Sequence, residues 1–210
     1  MCEYKFKRPL IYQAQIEKNH RILDLGCGTA TLTILIKQIH PESEAIGLDS
    51  DPAVLAIARI KSIKAEVNIS LDRGQASELP YPNNFFDRVL SSLFFHHLTH
   101  DNKIRALREI IRVLKPNGEL HVVDFGKPKN SFMYLISLIM RRLEETSDNI
   151  KGLLPTMFRD VGFEQVKENT QYMTIFGSLS LYQARKPDEN TLLVTFSNCI
   201  RLPNIEDARG

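Results

Sequence analysis

Scarcity is the first thing this chain shows. Cysteine is rare: Cys2, Cys27 and Cys199 are odd in number and far apart. That excludes a disulfide framework and the paired spacing of a zinc knuckle, and it fits a reducing, cytoplasmic compartment. A surplus of one charge is missing too. With 27 basic against 25 acidic side chains the formal net charge is only +2, without the like-charge block or basic face that nucleic-acid binding needs, so no nucleic-acid partner is expected. No stretch approaches the roughly 18 apolar residues of a membrane span. The opening MCEYKFKRPL has no apolar core of the kind a signal peptide carries. Internal repeats and low-complexity tracts are also missing from the sequence.

What remains is a chain of 210 residues, 43% hydrophobic, long enough to bury a full core in one domain. Strand-like and helix-like patterns alternate along it, which argues for a parallel sheet covered on both faces. After a short leader with helical character, RILDL reads as a buried strand and TATLTILIKQIH as a helix that breaks at Pro41. EAIGLD is a second strand. Asp51 and Pro52 then open the helix PAVLAIARIKSI, where proline suits a first turn. AEVNISLDRG and FFDRVLSSLFF give the third and fourth strands. Ile104, Leu107, Ile111 and Leu114 form the apolar stripe of a helix that KPNG terminates before a fifth strand, ELHVVDF. FEQVKENTQ and YMTIFGSLSLYQARK add two strands paired at the edge. The expected fold is α/β: a doubly wound, mostly parallel seven-stranded sheet with helices on both faces and an antiparallel edge hairpin, its ligands bound at the carboxyl ends of the strands. A single domain is expected over residues 1–186, with a lid-like insertion at about 127–149 and a patternless tail over 187–210.

The sharpest local signal is RILDLGCGTA, where an apolar strand breaks into a glycine turn and then a helix, a geometry that cradles nucleotide-like ligands. A dinucleotide site of the G-x-G-x-x-G type would want glycine where the chain has Thr31. Its diphosphate would also meet like charge from Asp24, two residues before Gly26. Asp24 suits instead a ligand that bears an ammonium group. Asp49 ends the second strand 23 residues after Gly26, where an acid can accept both hydroxyls of a ribose. A nucleoside joined to an amino acid satisfies both, and S-adenosylmethionine is that molecule. The free N–H groups opening the next helix can meet its carboxylate.

On LDLGCGTA, GLDSDPAVLAIAR, GQASELPYPNNFFDRVLSSLFFHHL and REIIRVLKPNGELHVVDF, in that order and spacing, the chain resembles the class I S-adenosylmethionine-dependent methyltransferases. Within them it looks like the small-molecule branch that includes the ubiquinone and menaquinone C-methyltransferases. The likeness spans about Arg21 to Phe125 and, more weakly, continues to Lys186. It implies transfer of a methyl group from S-adenosylmethionine to a small, apolar acceptor that is quinone-, lipid- or secondary-metabolite-like. It also implies that Asp24, Gly26 and Gly28 contact the methionine end and that Asp49 holds the ribose. Cys27, Ser50 and Ser92 are further candidate cofactor positions, with Cys27 read as filler rather than nucleophile. Gln75 stands where the family usually has an acid; its carbonyl can still accept from the adenine amino group, and Ala76 can offer an N–H to a ring nitrogen. Ala30 replaces a usual glycine, a change the turn tolerates if the backbone angle there is negative. Gln75 and Ala30 leave room for an alternative: a protein of the same fold that binds S-adenosylmethionine without methyl transfer, as a scaffold subunit or a repurposed enzyme.

FFHHLTH follows the fourth strand at the carboxyl edge of the sheet. Packing and hydrogen bonding around the cofactor is the first reading of His96 and His97. A second makes His97 a general base that takes a proton from the acceptor. A metal pair of His96 and His100 lacks a third ligand, so no metal is expected. Asp124, ending the fifth strand, is a second base or a cap on the following loop, and with His97 it forms the candidate catalytic pair. Methyl transfer asks little more, because the sulfonium is already activated and alignment with exclusion of water suffices. The apolar stretch NSFMYLISLIMRRLEET is core, a lid over an apolar substrate, or a peripheral membrane contact through residues 131–143 beside Arg141 and Arg142. The short leader is expected to leave the substrate entrance less covered than is usual. No motif specifies an oligomeric state.

Overall fold

Strand RILDL sets the layering. Alternate side chains leave a strand on opposite faces, so Leu23 and Leu25 enter one core cluster while Ile22 enters the other, with Asp24 on its side. A computed structural model describes residues 4–126, 147–174 and 177–188 of the chain. In order, α1 (Tyr4–Gln13), β1 (Arg21–Leu25), α2 (Thr31–Ile39), β2 (Glu44–Asp49), α3 (Pro52–Lys64), β3 (Ser70–Arg73) and β4 (Phe86–Ser92) make the first half. A 3-10 turn at Phe95–His97 leads to α4 (His100–Val113) and β5 (Leu114–Phe125), and then come α5 (Ser147–Ile150), α6 (Leu154–Asp160), β6 (Glu164–Thr174) and β7 (Gly177–Arg185). The lid-like insertion, with its proposed membrane contact at 131–143, falls largely outside the described residues, as does the tail from 189 on. No helix among the described residues is long and apolar enough to cross a membrane.

The seven strands lie in the order β3-β2-β1-β4-β5-β7-β6. Pairing is parallel from β3 through β5, and β7 runs antiparallel to both β5 and β6. The chain winds outward from β1 to β3 and then crosses back to β4. The strand order therefore reverses between β1 and β4, and a crevice opens there at the carboxyl ends. Helix starts are specified locally. Asp51 caps α3 by accepting from the Ala53 N–H at 2.7 Å, with Pro52 in the first turn, and Thr99 caps α4 by accepting from the Asn102 N–H at 3.3 Å.

Several boundaries differ from those expected, and the fourth strand stops at Ser92 instead of running on through Phe95. The third strand keeps only Ser70–Arg73. KPNG does not end the helix: Leu114 is already extended, and Lys115–Gly118 lies within β5, with Asn117 at φ 64. The Phe85 N–H donates to Val113 O at 2.7 Å, and this drawing of the helix end onto β4 puts the segment into the sheet. The strand boundary near the end also moves, since Tyr172–Thr174 belongs to β6.

The leader is a docked helix. Phe6, Leu10 and Ile11 of α1 pack with Leu32, Ile36 and Val123 on the face shared with α2. The Gln13 amide donates to His121 Nδ1 at 3.0 Å and to Tyr182 O at 3.1 Å, and Arg88 Nε donates to Ala14 O at 2.7 Å. The opposite face is closed by α4 and α6 through Leu107, Ile110 and Phe158.

Candidate cofactor site

β1 ends at Leu25 and the chain must turn at once to enter α2. Gly26 (φ 70) and Gly28 (φ 52) supply the left-handed backbone this needs. The N–H groups of Gly26 and Cys27 both donate to Leu48 O, at 2.9 and 3.0 Å, which pins the turn against the end of β2. Gly28 N–H donates to Asp49 Oδ2 at 2.9 Å, and Asp51 N–H to Asp49 Oδ1 at 3.0 Å. Each Asp49 oxygen is thereby oriented and still keeps a lone pair for a ligand hydroxyl. Ala30 is a correction: its φ is +57, not the negative angle that would make alanine harmless here. The surroundings hold it there, because its methyl is buried against Ile34 and Ala58.

Asp24 is 1% exposed, and Thr33 Oγ1 donates to its Oδ2 at 2.6 Å. Burial pushes its carboxyl up to about 6, against the lowering effects of the Thr33 bond and the Lys7 charge. A carboxylate held this far from water is favoured by a cation brought beside it, which fits the ammonium of a methionine end. Cys27 is buried behind the turn and its thiol donates to Gly28 O at 3.7 Å. Burial, with the nearby Asp24 charge, pushes the thiol pKa well up, the opposite of an activated nucleophile.

The crevice at the strand-order reversal brings together five of the expected positions, Gly26, Asp49, Ser50, Gln75 and Ala76. Asp24, Cys27, Gly28 and Ser92 are not on its wall: the first three lie at or under the turn, and Ser92 Oγ is buried without a hydrogen-bond partner. Sequence reasoning missed Phe94, Leu98 and Asn102, which line the same crevice as Asp49. Only the crossover from β3 to β4 brings that segment to the turn. The placement of Phe94 at the carboxyl end of a parallel strand is the signal that could have found it. A Cβ on Gly26 would collide with the Phe94 ring, so this glycine also makes room for an aromatic neighbour.

The two histidines separate. His96 is buried and its Nδ1–H donates to Asp124 Oδ1 at 2.9 Å. Asp124, fully buried, also accepts from Phe125 N–H (2.7 Å), Phe94 N–H (3.1 Å) and Asn149 Nδ2 (3.1 Å). It therefore ties together the end of β4, the end of β5 and α5. His97 is exposed, and its ring centroid lies 3.9 Å from that of His96. His100 Nδ1 instead donates to Asp148 Oδ2 at 3.2 Å, and no group of three metal-ligating side chains occurs among the described residues.

Comparison with known proteins gives an independent measure. Residues 22–118 match the family described as a methyltransferase domain. The chain is 34% identical to the ubiquinone/menaquinone biosynthesis C-methyltransferase UbiE of Pseudomonas paraeruginosa, over 87% of this chain and 78% of that one. It is 29% identical to a demethylmenaquinone methyltransferase of Listeria welshimeri, over 78% of each. Among solved structures, the 4+2 cyclase SpnF superimposes with a TM-score of 0.70 at 19% identity, across 88% of this chain and 80% of that one, a likeness of fold.

Proposed function

Because the chain belongs to the class I S-adenosylmethionine-dependent methyltransferases, we propose that it methylates a small, apolar acceptor of the quinone type. The sequence likeness to two quinone-pathway methyltransferases, over 87% and 78% of the chain, carries this reading. Fold by itself would not, since a cyclase shares it.

S-adenosylmethionine, when bound, supplies a methyl group already activated by the sulfonium charge. The protein's part is to hold and align. Asp49 accepts the ribose hydroxyls with the lone pairs left by its two backbone contacts. Asp24 meets the ammonium, and the N–H groups at the start of α2 meet the carboxylate. The exposed Gln75 accepts from the adenine amino group, and Ala76 donates its N–H to the ring. Ser50 borders the ribose end, Cys27 fills the space behind the turn, and Ser92 supports the crevice from within the sheet. Asp124 acts through the loop it anchors, as a positioning residue. His97, exposed beside that loop, takes the proton from the acceptor in this reading. The buried thiol of Cys27 is at home in a reducing, cytoplasmic compartment.

The test is incubation with methyl-labelled S-adenosylmethionine and a panel of demethylated quinols, fatty acids and amines, followed by mass spectrometry. Label on a quinol is expected. His97→Ala should lower that turnover by about 100-fold while leaving cofactor affinity unchanged. Cofactor binding without turnover of any acceptor would favour the non-methylating alternative.

A further inference from the structure

We propose that Phe94 is the residue by which this protein tells S-adenosylmethionine from its demethylated product, by presenting its ring face to the sulfonium. The proposal rests on the cofactor assignment and adds a specificity-determining residue to it.

Position comes first. The sulfonium sulfur is bonded to both the methionine chain and the ribose carbon, so it must sit between the group that holds each. The methionine end is set by the turn at Gly26 and the ribose end by Asp49, and both line one crevice. The Phe94 ring lies in that crevice, pressed so closely on Gly26 that a Cβ there would collide with it.

Chemistry comes second. A sulfonium carries a full positive charge but has no N–H or O–H to donate, so only a negative field can recognise it. Among the described residues lining the crevice, Asp49 is the only acidic one. Its oxygens already accept from Gly28 and Asp51, and their remaining lone pairs face the ribose. Asp24 is buried beneath the turn and bonded to Thr33. The π face of Phe94, which lines the crevice and is pressed on Gly26, supplies a negative field at that point, and the attraction acts within about 6 Å of a ring centroid.

The backbone gives a third observation. Leu93 has φ +56, a conformation that bulky side chains rarely adopt. Such strain persists only where the surroundings impose it, and it gathers at functional sites. Here the restraints surround Phe94: Leu93 N–H donates to Val123 O at 2.8 Å, Phe94 N–H to Asp124 Oδ2 at 3.1 Å, and His97 N–H to Phe94 O at 3.1 Å. Phe95 braces the ring edge-on, with centroids 6.0 Å apart and an interplanar angle of 73°. The buried Asp124 carboxylate thus acquires a purpose at the site: it fixes the ring that faces the charge.

Calorimetric titration of wild type, Phe94→Leu and Phe94→Tyr with S-adenosylmethionine and S-adenosylhomocysteine tests this. Phe94→Leu should weaken binding of the sulfonium ligand by about five-fold or more while the neutral ligand stays within about two-fold, and Phe94→Tyr should restore the wild-type ratio. The neutral ligand doubles as the check that the site is folded. If circular dichroism shows Phe94→Leu unfolded, Phe94→Met, which keeps bulk without a π face, takes its place with the same expectation. Equal weakening of both ligands by a folded variant, or no change in either, would overturn the proposal. Failure of the wild type to bind either ligand would instead overturn the cofactor assignment on which it rests.

Discussion

Replacing Asp24 by asparagine should stabilise the ligand-free protein at pH 8 and at the same time remove most of its affinity for S-adenosylmethionine. In the unfolded chain this carboxyl ionises near 3.8, and in the folded chain burial raises it to about 6. Between those values the folded protein holds a proton that the unfolded chain has released. The stability contributed by that proton is present at low pH and lost as pH rises through about 6. A displacement of about two units corresponds to about 3 kcal/mol charged against the fold once Asp24 is ionised. Asparagine avoids that cost and can still accept from Thr33. A bound ammonium offsets the cost in the native protein, so the ligand prefers ionised Asp24. Affinity should be flat from pH 7 to 8, then fall about ten-fold per pH unit below 6, over roughly two decades. Titration calorimetry at pH 5.5 in buffers of different ionisation enthalpy should register release of a proton from Asp24 on binding that is absent at pH 8. Thermal unfolding of both forms at pH 8 gives the stability half. An affinity that does not change between pH 5 and 7, or an asparagine variant less stable than wild type at pH 8, would refute the assignment of Asp24 to the ammonium.

Ala30→Gly should be close to neutral in urea unfolding: relief of the left-handed alanine gains about 1 kcal/mol, and loss of a buried methyl gives back about 0.8 kcal/mol. A change beyond about 2 kcal/mol in either direction would contradict the strain seen at φ +57. Asp124→Ala leaves the donors of His96, Phe94, Phe125 and Asn149 without their acceptor. It should cost at least about 3 kcal/mol, measured the same way; a loss under about 1 kcal/mol would mean the loop is held by other contacts. His121 is fully buried, and desolvation lowers its pKa despite the opposing pull of Glu119. The unfolded chain therefore takes up this proton first as pH falls below the ordinary value of 6.5, and the stability tied to the neutral ring is lost in that direction. His121→Gln should flatten the acid side of the melting-temperature profile, and an unchanged slope would remove His121 as a contributor.

Local patterning carried far in this chain. A strand of alternating faces followed by two glycines placed the turn. The acid two residues before Gly26 argued for an ammonium-bearing ligand over a diphosphate, because a carboxylate would meet a diphosphate with like charge. Asp51 with Pro52 and Thr99 announced their helices, since capping depends on neighbours only two or three residues away. KPNG misled for the converse reason: its turn-forming residues are real, yet pairing of the preceding segment with β4 drew them into a strand.

By itself, then, the sequence determined the kinds of elements, their order, the face each buries and the ligand that the glycine turn can hold, all of which follow from interactions within a few residues. Tertiary structure decided the rest. It made Asp24 a buried acid under Thr33, surrounded Asp124 with donors from Phe94, His96, Phe125 and Asn149, and docked α1 on the sheet through Gln13 and His121. It also laid Phe94 on Gly26 across the reversal between β1 and β4. These contacts join residues far apart in the chain, and their geometry depends on how the strands are ordered and crossed. Periodicity records which side of an element is apolar, but not which distant element will cover it.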